Sequence, residues 1–204
     1  MLFSNTYNQI TNNSKGIYKS KGSKFIAYAI IVKSEVQVVD EINKIKKLDK
    51  NANHYCYAYI IKPDKSIEKV NDDGEPKNSA GKPILRQIKS KELTNCLIVV
   101  VRYFGGIKLG IPGLIKAYKN AALEAIQNNK IECIDITEMY SLKFSYEELN
   151  SVMNILKNYN ANIINHKNDI ISEIECSITL KNSKIFYDKI SKNHKIDIKY
   201  LKTK

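Results

Sequence analysis

The chain has 204 residues, 43% of them apolar and 26% charged, and 33 Lys and Arg against 21 Asp and Glu give a formal net charge of +12. That length allows one large domain or two small ones, each able to bury a core. The charge excludes an acidic, self-repelling chain and directs attention to acidic partners such as nucleic acid, the ribosome or anionic lipid.

The charge is unevenly placed. Residues 1–134 hold 22 Lys and Arg against 12 Asp and Glu, whereas residues 135–204 hold 11 against 9. Nearly all of it is Lys, with Arg only at Arg86 and Arg102. A coding bias toward A/T-rich codons produces the same Lys-rich surface, so composition alone does not decide between a binding face and a solvated one. The cysteines, Cys56, Cys96, Cys133 and Cys176, form no C-x-x-C pair. Zinc spacing is therefore missing, no disulfide framework is expected, and a reducing compartment follows. The opening MLFSNTYNQITNNSKG lacks the apolar run of a signal peptide, and no apolar stretch approaches a membrane span. The expectation is a cytoplasmic protein with no membrane partner.

Two short strands are expected near Ile17–Lys19 and Ser23–Val32, turned at Lys21-Gly22. Ser34-Glu35-Val36-Gln37 is a capping box that opens a helix with Val38, Ile42 and Ile45 on one face, ending near Lys50. Tyr55–Ile61 reads as a strand. Residues 62–81 read as a long polar loop holding at most a short strand at Ser66–Val70, and loops of that length in compact domains are usually functional or mobile. A short helix follows over Pro83–Ser90, then a buried strand over Cys96–Tyr103. The second main helix spans Pro112–Gln127, with a core stripe of Leu114, Ala117, Ala121 and Ala125. Pro112 suits its first turn, where a missing N–H costs little.

Residues 128–138 read as a connection between domains, dividing the chain into 1–134 and 135–204. Beyond it come a strand at Met139–Phe144, a second capping box at Ser145-Tyr146-Glu147-Glu148, and a helix to about Tyr159. Strands near Asn162–His166 and Ile170–Leu180, a helix over Ser183–Ser191 and a strand over Ile196–Leu201 complete the order. β-α-β-β-α-β is the ferredoxin-like pattern, and the chain as a whole reads as α+β.

Three segments carry possible chemistry. In the first, Arg102-Tyr103-Phe104-Gly105-Gly106-Ile107-Lys108-Leu109-Gly110, a buried strand empties into a glycine-rich basic loop that feeds a helix N-terminus. Gly105, Gly106 and Gly110 let backbone approach a ligand, Arg102 and Lys108 supply charge, and exposed amides at a helix start suit phosphate. Tyr103 and Phe104 could stack on bases. The plainer alternative is a strand-to-helix turn with core aromatics. Neither a P-loop nor a dinucleotide fingerprint is present. In the second segment, Asp72, Asp73 and Glu75 could hold a hard cation, mark a turn, or pair with Arg102 or Lys108 and so order the basic loop. The third places His54 two residues from Cys56. Cys56 lies in an apolar run and reads as a buried cysteine rather than a nucleophile, while His54 at the strand mouth could touch a ligand.

These segments together resemble the Impact/YigZ family, in its bacterial form. The resemblance lies in Ser23-Lys24-Phe25-Ile26-Ala27, Asn53-His54-Tyr55-Cys56-Tyr57-Ala58, Asp72-Asp73-Gly74-Glu75-Pro76, Ala80-Gly81-Lys82-Pro83-Ile84-Leu85 and Val101 to Gly110, in that order. It is specific over residues 20–126 and rests on element order alone after about 138. It implies an N-terminal domain of the ribosomal protein S5 domain 2-like fold and a ferredoxin-like C-terminal domain resembling one of elongation factor G. Eukaryotic members dampen starvation signalling to translation initiation with an additional N-terminal RWD domain. The chain has no room for that domain, so their partner is not expected here. Two departures stand out. Asn78-Ser79-Ala80-Gly81 replaces the usual Gly-Thr-Ala-Gly. Pro112 interrupts the usual Gly-x-Gly-Gly-Leu and removes one amide from any anion site.

The leading expectation is a non-enzymatic regulator of translation that binds RNA or the ribosome through Arg102, Tyr103, Phe104, Gly105, Gly106, Lys108, Gly110, Lys116 and His54. A protein-binding module engaging a stress-signalling or translation protein through loops such as 62–81 is second. A metal-assisted hydrolase built on Asp72, Asp73 and Glu75 is third, because no motif unites nucleophile, base and oxyanion donor. No cofactor is expected.

Overall fold

The computed structural model describes residues 4–204. Their contacts gather into two units, Tyr7–Ile134 and Asp135–Lys204, the latter joined by the few described residues ahead of Tyr7. No helix among the described residues is long and apolar enough to cross a membrane.

The larger unit is built on a five-stranded antiparallel sheet. In chain order its elements are β1 (Thr6–Ile10), β2 (Ser14–Ser20), β3 (Ser23–Ile31), α1 (Glu35–Leu48), β4 (His54–Ile61), β5 (Ile67–Asn71), α2 (Gly81–Ser90), β6 (Cys96–Tyr103), α3 (Gly110–Gln127) and β7 (Ile131–Asp135). The sheet order is β2-β3-β6-β4-β5. Central β6 is buried along all but its last residue, which is why Cys96–Tyr103 reads as an unbroken apolar run instead of an alternating one. Its two faces serve two cores. Ile98 and Val100 pack with Leu114, Ala117, Tyr118 and Ala121 of α3 and Ile84 and Ile88 of α2. Leu97, Val99 and Val101 pack with Val38, Ile42 and Ile45 of α1. The alanine stripe of α3 lets that helix lie close to the sheet. A Cβ at Gly16 of β2 would come within 2.3 Å of the Ala125 amide nitrogen.

Local signals explain most boundaries. Lys21 (φ 44°) and Gly22 (φ 78°) both take left-handed backbone, the requirement of a tight hairpin turn between β2 and β3. Ser34 Oγ accepts from the Gln37 amide at 3.3 Å, and Gln37 Oε1 accepts from the Lys33 amide at 2.7 Å. The α1 box therefore forms with its return bond one residue early.

Three expectations need correction. Residues 128–138 are not a bare connection: β7 pairs with β1 in a two-stranded ribbon. Both strands are only five residues long, too short for an alternation to stand out. Within 62–81 the short strand expected at Ser66–Val70 is present as β5, one residue further on, paired with β4 from Ile61↔Ile67 to Tyr57↔Asn71, so the open stretch is shorter than expected and its second part is a turn tied to Asp72. Ser145 caps nothing with its side chain: Tyr146–Glu148 form a 3₁₀ turn ahead of α4.

The second unit contains β8 (Thr137–Ser145), α4 (Leu149–Asn158), β9 (Asn162–Lys167), β10 (Ile171–Thr179), α5 (Leu180–Ser191) and β11 (Ile196–Thr203). Its sheet order is β11-β8-β10-β9, antiparallel throughout. Leu142, Phe144, Ile174, Cys176 and Ile178 form its core with Val152 and Leu156 of α4 and Phe186 and Ile190 of α5.

Ile98 is fully buried at the centre of the larger sheet. Ile98→Ala should therefore lower unfolding free energy by about 2–5 kcal/mol, the usual range for emptying such a position, read from a urea transition of the purified protein.

Candidate functional site

Sheet register assembles the site. Arg102, next to last in β6, lies opposite Phe25 on β3 and opposite His54 on β4. Its side chain follows those of Ile98 and Val100 onto the α2–α3 face, because alternate residues of a strand share a face. Arg102 is only 6% exposed. Its guanidinium lies over the rings of Phe25 at 5.5 Å and Phe104 at 5.4 Å. Nη1 donates to Glu75 Oε1 at 2.6 Å. The same oxygen accepts from the Tyr118 hydroxyl at 2.7 Å. Cys56 Sγ lies 3.3 Å from the Tyr118 hydroxyl oxygen and 3.0 Å from the Asp72 carbonyl oxygen. Desolvation pushes both the Cys56 thiol and the Tyr118 hydroxyl far above their ordinary pKa, so both stay protonated beside the Arg102–Glu75 pair.

The three carboxylates of the 72–75 turn go to three separate jobs. Asp72 Oδ1 accepts from the amides of Ala80 (3.0 Å) and Gly81 (2.8 Å), and Oδ2 from Asn78 (2.8 Å). A carboxylate eight residues away thus does the work of an N-cap for α2, whose own N-cap residue, Ala80, has no side chain that could. Asp73 Oδ2 accepts from the Tyr55 amide at 2.7 Å. Glu75 meets Arg102. Among the described residues no group of three His, Cys, Asp or Glu side chains is placed to hold a metal ion; the bonds that Asp72, Asp73 and Glu75 do make tie the turn to α2, β4 and β6. Asn78 sits at φ 67°, a left-handed position that asparagine tolerates better than most side chains. Its replacement of glycine is therefore accommodated.

A cavity of about 450 Å³ opens beside this core, lined among others by His54, Glu75, Arg102, Phe104, Lys108 and Ile111. The structure thus brings His54, Arg102, Phe104, Lys108 and Gly110 to one place. His54 Nδ1 lies 2.8 Å from the Asp73 carbonyl oxygen. A carbonyl only accepts, so Nδ1 carries the hydrogen. Lys108 is exposed at the rim, and Leu109 and Gly110 open α3. Gly106 (φ 84°) and Gly110 (φ 69°) take backbone that only glycine adopts readily.

Other predicted positions land elsewhere. Lys116 lies on the exposed side of α3, and Asp72 and Asp73 are outside the cavity lining. Arg102 is not an exposed cation but half of a buried pair. Tyr103 is not a stacking platform: it faces α1 with Val101 and Val99, and its hydroxyl donates to Asp49 Oδ1 at 2.6 Å. The other Asp49 oxygen accepts from Tyr28 at 2.6 Å. Gly105 serves a close approach to protein, since a Cβ there would fall 1.9 Å from the Gly22 carbonyl carbon. Tyr118, and the loop-tying roles of Asn53 and Ser23, are not legible in the motifs. Tyr118 looks like one more residue of the α3 core stripe. Asn53 Oδ1 (2.8 Å) and Ser23 Oγ (3.1 Å) accept from the Phe104 and Gly105 amides, tying down the loop.

A model of the Impact N-terminal domain matches residues 21–126. The chain belongs to the Impact/YigZ family. It is 45% identical over 106 residues to the IMPACT family member YvyE of Bacillus subtilis, a match covering 52% of this chain and 49% of that protein. It is 34% identical over 146 residues to an IMPACT family member of Haemophilus influenzae, covering 71% of each. The chain thus spans about half the length of the first relative and more of the second. A solved structure described only as a hypothetical protein superposes with a TM-score of 0.74 over 98% of this chain and 99% of that one, at 22% identity, which establishes a shared fold. The family match covers the Arg102–Glu75 pair and every residue named above for the cavity.

Two measurements check this geometry. Glu75→Ala leaves a buried guanidinium without its counter-charge and should cost about 3–5 kcal/mol of stability, read by chemical denaturation. The hydrogen bond to Asp49 pushes the Tyr103 hydroxyl from 10.0 up to about 12. A raised acid pKa in the folded state stabilises below the unfolded value and loses that contribution as pH climbs through the folded one. Stability should therefore fall between pH 10 and 12, and Tyr103→Phe should make that alkaline decline shallower in thermal melts.

Proposed function

We propose that this protein is a non-enzymatic regulator of translation that contacts RNA or the ribosome through the basic loop and the face around it, in the cytoplasm. The observation that carries the reading is the placement of exposed Lys108 and the start of α3 at the mouth of one cavity. A helix start with a lysine beside it favours phosphate. The unit Tyr7–Ile134 carries the whole +10 excess of residues 1–134, because residues 1–6 hold no charged side chain. Only two of its lysines, Lys44 and Lys89, make ion pairs among the described residues, which leaves most of its cations available to phosphate.

The division into a basic domain of 1–134 and a second of 135–204 belongs to the same reading. So do the S5 domain 2-like assignment of the first and the ferredoxin-like assignment of the second. The latter is supported by the β-α-β-β-α-β order and by the sheet order β11-β8-β10-β9. Family membership supports a link to translation, as its resemblance implies.

A protein partner is the second reading, favoured by one observation: Phe104, Ile107 and Ile111 are each about half exposed near the cavity mouth, at 46%, 56% and 53%.

Binding to total RNA and to ribosomes, followed over about 50–200 mM salt, tests the proposal. The affinity should fall steeply, with log K linear in log salt, and Lys108→Ala with Lys116→Ala should reduce the slope by about one per lost phosphate contact. Affinity that ignores salt, or no binding at low salt, contradicts the RNA reading and turns the search to a protein partner.

A further inference from the structure

Edge strand β2 carries an unbalanced charge on the sheet face opposite the cavity. Residues 1–34 hold five lysines and no Asp or Glu, whereas residues 35–134 hold 17 Lys and Arg against 12 Asp and Glu. Coding bias raises the number of lysines but does not decide where the strands bring them together. Lys15 lies opposite Tyr28, Ile17 opposite Ile26 and Lys19 opposite Lys24. Tyr28 and Ile26 pack in the α1 core, so Lys15, Ile17, Lys19 and Lys24 all stand on the α1 face of the sheet. α1 leaves this margin open: the three lysines are exposed and Ile17 is half exposed. Beside Lys15 the margin deepens into a groove of about 260 Å³, lined among others by Tyr28, Glu41, Lys44 and Leu48. Glu41, the one carboxylate in that lining, is held by Lys44 at 2.6 Å. Lys15 Nζ lies 4.9 Å from the Tyr28 ring centroid. Lys15, Lys19 and Lys24 have no carboxylate partner among the described residues. Like charges directly opposite each other on paired strands destabilise a sheet, and Lys19 and Lys24 form such a pair. A neutral polar residue at either position would serve the fold better, so the pair points to a polyanion.

We propose that the backbone of a single-stranded RNA runs along this margin, its phosphates on Lys15, Lys19, Lys24 and the turn residue Lys21. The inference rests on the RNA reading and adds to the glycine loop a second contact surface, on the opposite face of the sheet. The two surfaces meet at the hairpin turn. A Cβ at Gly22 would fall 2.7 Å from the Gly105 carbonyl oxygen, and the Gly105 amide donates to Ser23 Oγ. Lys21 stands exposed at that turn. Along β2 same-face side chains recur about every 7 Å, which sets cation, apolar and cation in a row at Lys15, Ile17 and Lys19. Sites for single strands combine a positive groove that tracks the backbone with surfaces on which bases rest. Ile17 and Leu48 supply exposed apolar surface among the charges. A membrane fits this strip less well, because binding at a lipid interface takes a broad apolar face, whereas here the apolar side chains are isolated and border a concave groove.

The test uses the whole protein and a fluorescently labelled oligouridylate, with anisotropy followed over about 50–200 mM salt. Wild type is compared with Lys19→Gln plus Lys24→Gln, and with a control of equal charge loss, Lys65→Gln plus Lys69→Gln, exposed residues beside and on β5 at the far edge of the same sheet. The first pair should weaken binding at least about tenfold at the lowest salt and lower the slope of log K against log salt by about 1.4, at about 0.7 for each phosphate contact on a single strand. The control should leave the slope unchanged. Without RNA, the Lys19 and Lys24 variant should melt at the wild-type temperature or above it in low salt, because the like-charge pair is gone, and this separates lost contact from lost fold. Equal losses in the two variants overturn the inference and make the lysines a diffuse positive field. A wild-type slope in the Lys19 and Lys24 variant also overturns it and leaves the broader RNA reading standing. Binding to phosphatidylserine vesicles that depends on Lys19 and Lys24, beside RNA binding that does not, makes a lipid surface the occupant and overturns the assignment. No RNA binding by wild type overturns both readings together.

Discussion

The buried ion pair between Arg102 and Glu75 is the constraint on which the rest of this site depends. Two charges taken out of water are tolerated only with close geometry and additional hydrogen bonds, and this pair has both: a 2.6 Å contact, a tyrosine hydroxyl on the shared oxygen and aromatic rings near the guanidinium. The pair joins the end of β6 to a turn that would otherwise be a polar excursion between β5 and α2. It does so next to a helix start, so what anchors the turn also sets one wall of the cavity.

The neighbouring turn is organised with the same economy. Asp72 holds three amides, Asp73 holds the first bonds of β4, and Glu75 holds Arg102. Each carboxylate has its own set of donors. Asp49 plays a comparable role on the opposite face of the sheet, where it gathers the hydroxyls of Tyr28 and Tyr103. The two ends of the Arg102-Tyr103 dipeptide are thereby pinned on opposite faces, and the glycine loop that follows starts from a fixed point. Its path is then confined by Gly105 against Gly22 and by Asn53 and Ser23 on successive amides.

Much of the fold was legible because its signals are local and strong. An apolar run flanked by turn residues marked β6 to the residue, the alanine stripe marked α3, and the two-residue turn at Lys21-Gly22 marked the first hairpin. β1 and β7 were illegible because five-residue strands are too short to show a period; their evidence lies in pairing across more than a hundred residues of chain. Within the site, residue types alone named the right loop. They could not say that Arg102 points inward, since a strand ending in Arg-Tyr-Phe leaves the facing of each side chain to its register with β3 and β4. Nor could they assign partners to Asp72, Asp73 and Glu75, because carboxylates packed within four residues look alike until the amides and the guanidinium that claim them are in place. Tyr118 was hidden inside an apolar helix face, where a hydroxyl gives no sign of its acceptor.

The most direct test of this account is an NMR spectrum of the arginine Nε–H groups. The chain has two arginines, Arg86 and Arg102, so two signals suffice and Arg86→Lys assigns them. The account predicts one sharp, slowly exchanging Nε–H signal from Arg102, present without ligand because the pair between Nη1 and Glu75 holds the guanidinium where Nε is closed off from water. That signal should shift on addition of RNA that binds beside the cavity while the Arg86 signal stays in place. An Arg102 signal broadened by exchange with water in the free protein, or one unmoved at saturating RNA, would contradict it.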